Sequence, residues 1–148
     1  MYFQEKRALV SSISSILILL IYSLFVYKNY MVGNLEILND FKFWGKSFLF
    51  LIPVSIVAQI IIHIVFVIIN KIVTNEDMPT ITDERDKLIE LKSIRISHWI
   101  FICGFVMAMG SLTIELQPYV MFITLIISGF IAEIAAEIAK IYYYRKGI

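Results

Sequence analysis

The sequence predicts an all-α polytopic membrane protein: four transmembrane helices in a bundle, with a charged cytoplasmic helix running on into the third span. Three observations predict it. The hydrophobic fraction is 59% and mean hydropathy is +0.82, whereas a soluble domain is nearer half apolar. Charged residues make up 17% of the chain, and they cluster, leaving uncharged stretches long enough to cross a bilayer. Strict alternation of polar and apolar residues is absent, so helices satisfy the backbone in hydrocarbon and a barrel does not. At 148 residues the chain makes one transmembrane domain, 1–148.

Four segments reach the length of about 20 residues that a span needs. The first covers 8–27. Lys6 and Arg7 precede it as they would a signal peptide, but the apolar run is long and no small-x-small site follows. It is therefore expected to be a retained helix. The second covers 47–69, ends at Asn70 and Lys71, and is expected to kink at Pro53. The third and fourth cover 94–114 and 119–141, joined by Glu115, Leu116, Gln117 and Pro118 as a tight hairpin, with proline suited to a helix start. Tyr27, Trp44, Trp99, Tyr119, Tyr142, Tyr143 and Tyr144 lie near span ends, where amphipathic rings anchor at the headgroups.

The basic residues set an orientation. Ten of the 13 lie in the N-terminal tail, the loop between the second and third spans, and the C-terminal end. The other three, Lys28, Lys42 and Lys46, lie in the first loop. By the positive-inside rule the expected localisation is a prokaryotic cytoplasmic membrane with both termini in the cytoplasm.

A cytoplasmic helix is expected over 83–96, capped by Thr82 or Asp83, with acidic residues in its first turn suited to the helix dipole. On a helical wheel Asp83, Asp86 and Glu90 share one side. Arg85, Leu88, Ile89, Lys92, Arg95 and Ile96 share the other. A basic and apolar side suits an anionic membrane surface, which turns the acidic side toward the cytoplasm or a partner. The run Asp83, Glu84, Arg85, Asp86, then Ile89, Glu90 and Lys92, resembles the D-E-R-D-x-x-I-x-x-K pattern of small, uncharacterised prokaryotic membrane proteins with four predicted helices. The resemblance covers about 15 residues and the helix count. It implies no reaction. It does imply that Asp83, Glu84, Arg85, Asp86, Glu90 and Lys92 form a defining site.

Ionisable residues inside a span are costly and therefore candidates for function. Glu133 and Glu137 are four apart on the fourth span, and Gln59 and His63 are four apart on the second, so each pair shares a helix face. Counting the helical rise from the outer ends brings His63 and both glutamates to a similar depth in the cytoplasmic half. They can form one polar cluster, used for helix-to-helix hydrogen bonds or for a proton or cation path. No metal motif accompanies them, and no metal or cofactor is expected. The small residues Ser128, Gly129, Ala132 and Ala136 on the fourth span, and Gly104 and Ala108 on the third, suit close packing within the hairpin, or else between two copies of the chain.

No catalytic constellation, zinc spacing or basic nucleic-acid patch is present. Cys103 stands alone in an apolar run and has no partner for an internal disulfide. The function expected is that of a non-enzymatic membrane protein, a small accessory, sensor or regulatory subunit acting through its charged cytoplasmic helix. Its expected partners are the lipid bilayer and a cytoplasmic or membrane protein, or a second copy of itself, and not nucleic acid. The alternative is a small oligomeric proton- or cation-coupled transporter or channel using His63, Glu133 and Glu137.

Overall fold

The computed structural model describes residues 3–74 and 84–147. Among these residues the chain is helical and contains no strand. Four long helices follow in order: α1 (Phe3–Val26), α2 (Phe41–Thr74), α3 (Glu84–Thr113) and α4 (Pro118–Lys146). All four are long and apolar enough to cross a membrane. They outrun the apolar stretches because the polar flanking turns keep the same backbone hydrogen bonding. At 34 residues, α2 is about 51 Å long, well beyond a hydrocarbon core of about 30 Å. It is continuous through Pro53. The proposed caps Thr82 and Asp83 lie outside the described residues.

Between α1 and α2 the chain is not an open loop. A single π turn over Tyr27–Met31 and a 3-10 turn over Leu35–Asn39 fold back on the ends of both helices. The centre of this cap is Trp44. Its indole N–H donates to the Leu38 carbonyl at 2.9 Å. Its ring stacks on Phe122 of α4, with centroids 5.5 Å apart and planes 12° apart. Only 4% of Trp44 is exposed, so the expectation that it anchors at a lipid surface is corrected: it is the core of the capping cluster with Val26 and Phe43. Trp99, Tyr27 and Tyr142 do face outward.

The helices do not form a square. The closest pair is the α3–α4 hairpin, α1 lies against α4, and α2 lies against α1. Toward α4, α2 reaches only with long side chains such as Trp44, Phe48 and Gln59. The hairpin is tight because its contact surface is small. Gly104, Ala108 and Ser111 of α3 are buried, as are Ser128, Ala132 and Ala136 of α4. A Cβ built on Gly104 would overlap the Cβ of Ser128. Gly129 is different: a Cβ there meets nothing within 4 Å, so it takes no part in this contact. The buried line on α3 continues back through Ser93 and Ile89, both 0% exposed, so the charged segment packs into the bundle. The hairpin turn is closed by Leu116 N–H donating to the Ser111 carbonyl at 3.1 Å, with Glu115 at a positive φ of 59°. Pro118 opens α4, and Gly147 ends it in the left-handed conformation at φ 75°.

Candidate functional site

The polar residues of the spans fall into two tiers about one helical turn apart. The deeper tier surrounds Glu133. Ser15 Oγ donates to Glu133 Oε1 at 2.8 Å. Gln59 Nε2 donates to the same carboxylate oxygen at 3.3 Å and to Ser15 Oγ at 2.7 Å. Ser14 Oγ in turn donates to Gln59 Oε1 at 3.0 Å. This network ties α1, α2 and α4, and each member sits near the midpoint of its helix. The serines are there because α1 turns a small, polar face inward, with Ala8, Ser11, Ser14, Ser15 and Ile18 all buried. Bonds of this kind average about 0.6 kcal/mol in membrane bundles, so the network orders the helices more than it strengthens them.

The second tier is a cavity of about 240 Å³ to which all four helices contribute. Arg7 and Ser11 come from α1 and His63 from α2. Asp86 and Glu90 come from α3, and Glu137, Lys140 and Tyr144 from α4. Lys140 Nζ donates to Glu137 Oε1 at 2.8 Å. The Tyr144 hydroxyl donates to Asp86 Oδ1 at 2.9 Å, while Arg85 Nη2 donates to the Tyr144 carbonyl at 3.3 Å. Beside the cavity Glu5, almost wholly buried, pairs with Arg145 at 3.7 Å and ties the start of α1 to the end of α4. Among the described residues, His63 Nδ1 is the buried side-chain atom left without a hydrogen-bond partner. A buried polar atom normally has one, which makes His63 the member of this site whose bonding is incomplete. The volume corresponds to roughly eight waters at about 30 Å³ each, or one small polar solute.

Gln59, His63, Glu133 and Glu137 thus lie along one polar track. Gln59 and Glu133 are bonded directly, and His63 and Glu137 share the cavity. The two tiers connect, since Arg7 and His63 also line a groove that reaches Glu133. Among the described residues no three His, Cys, Asp or Glu side chains are placed to hold a metal ion. The charged segment of α3 divides. Glu84 is exposed, Arg85 and Asp86 engage Tyr144, Glu90 lines the cavity, and Lys92 Nζ lies 5.5 Å over the Tyr143 ring. Asp83 lies outside the described residues.

The acidic side of the wheel is divided: Asp86 is half-buried at the cavity, whereas Glu90 lines the cavity and remains exposed. The reason lies in packing. Ile89 and Ser93 continue the small-residue line that meets α4, and that line fixes how α3 is rotated. Ser14 and Ser15 were not expected here, and Arg7 and Tyr144 were read only as a flanking charge and an anchoring ring. Four serines within Ser11–Ser15 mark α1 as having a small polar face, without naming its partner.

No family model, curated protein or solved structure matches this chain.

Proposed function

We propose that this chain is a four-span, non-enzymatic membrane protein, a small sensor or regulatory subunit with both termini cytoplasmic. The polar cavity is its input and the charged start of α3 is its output. The observation that carries this reading is the cavity itself, where Asp86 and Glu90 of the charged segment meet His63 and Glu137 of the spans. A polar solute or proton taken up beside His63 acts next to Asp86, whose bond to Tyr144 ties the start of α3 to α4. Membrane insertion rests on the length and hydropathy of the helices, and the orientation rests on the ten-to-three division of Lys and Arg.

The test is in-membrane crosslinking followed by co-purification with tagged full-length chain from its native membranes. The wild type is expected to retain a protein partner. Asp86→Ala with Glu90→Ala is expected to retain at least tenfold less of it while inserting to the same level. A double variant that keeps every partner would sink the reading.

A further inference from the structure

We infer that the groove beside Glu133 is a binding site for an amphiphilic organic monocation entering from the hydrocarbon side. This goes beyond the regulatory reading and rests only on membrane insertion, which resistance to alkaline extraction scores separately.

Glu133 sits near the midpoint of α4, yet it is exposed. It faces outward through the gap that arises because α2 stands against α1 and meets α4 only by long side chains. That gap is a groove of about 560 Å³, within the range of roughly 300–1,000 Å³ typical of small-molecule sites. An ionisable group at mid-span is costly and normally faces the bundle interior or pairs with another charge. Glu133 turns Oε1 toward the inward-facing Ser15 and is otherwise exposed. Its two donors, Ser15 and Gln59, both go to Oε1. Among the described residues no cation lies within 4 Å of it. Oε2 is thus left without a donor among the described residues, and a cation seated in the groove would pair with this carboxylate.

The walls select the kind of cation. Ile56, Ile60 and Ile64 form the lipid-facing side of the groove, which favours an apolar body over a hydrated ion. A hard divalent ion needs about six oxygen ligands, more than this groove supplies. Arg7 closes the cytoplasmic end of the groove with a positive charge, which disfavours a second charge on the ligand. One carboxylate, an apolar wall and a cationic end match one positive charge on a greasy frame.

The probe is tetraphenylphosphonium, and tetraphenylborate serves as the control with the same shape and opposite charge. Equilibrium binding is measured on purified full-length chain in nanodiscs of zwitterionic phospholipid, against empty nanodiscs. The wild type is expected to bind the phosphonium saturably and not the borate. Glu133→Gln is expected to weaken binding at least tenfold, and Glu133→Asp less. Three results overturn the proposal: no saturable binding by the wild type, as when a second copy covers the groove; equal binding of the borate; or wild-type affinity in Glu133→Gln. If Glu133→Gln fails to fold, Ile60→Trp decides by filling the groove from its apolar wall. A tenfold loss supports the site and an unchanged Kd removes it.

Discussion

Two glycines show how differently the same residue type is used. Gly104 lies where α3 and α4 touch, and any Cβ there meets Ser128 head-on. Gly129, one residue from Ser128, faces open space. Gly104→Ala is therefore expected to destabilise the protein by about 1–3 kcal/mol, the usual cost of overpacking a tight contact. Gly129→Ala is expected to be neutral, or stabilising by up to about 1 kcal/mol through helix propensity. Unfolding in detergent, followed by circular dichroism, separates them, and equal effects would refute the assignment. The small-residue pattern was legible in the sequence because its four-residue spacing survives any rotation of the helix. Gly129 was not, because adjacency in sequence puts it about 100° away around the helix. His63, Glu133 and Glu137 were legible for another reason: charge is rare in a span, and depth can be counted from the helix ends. The serines that bond Glu133 were hidden, since serine is tolerated in spans without signalling a partner.

At the scale of elements, the charged start of α3 is held by α4 and is not free in solvent. The Tyr144 hydroxyl to Asp86 is one hydrogen bond between the two helices at this level. A single such bond contributes about 1 kcal/mol net. Tyr144→Phe is thus expected to raise local opening, read as amide exchange over residues 84–92, about fivefold, with exchange around Gly104 unchanged. Exchange that stays at the wild-type rate over 84–92 would show that Ile89 and Ser93 hold the segment without Tyr144. Sequence periodicity located this helix but not the face it packs on α4, which is that of Ile89 and Ser93. The wheel weighs charges, whereas the observed rotation follows from Gly104 and Ala108, three turns and more further along. In the same way Trp44 reads as an interfacial anchor until the 3-10 turn is known, because the Leu38 carbonyl that takes its N–H is close only in the fold.

At the scale of the molecule, α1 and α3 both pack on α4, and α2 packs on α1. The helix count followed directly from length and hydropathy, but the neighbour order did not, since each apolar span is compatible with many. The orientation is testable with a membrane-impermeant maleimide. In a Cys103→Ser background, Lys46→Cys is expected to label from outside intact cells, and Lys146→Cys only after permeabilisation. The reverse pattern would invert the topology. The same arrangement bears on the order of assembly. α1 has its larger partner in α4 and not in the neighbouring α2, because Ser15 bonds Glu133 and Glu5 pairs with Arg145. Gln59 of α2 can serve Ser14 and Ser15 without α4, but among the described residues Glu5 has no such substitute. The start of α1 is therefore expected to settle only once α4 is in place.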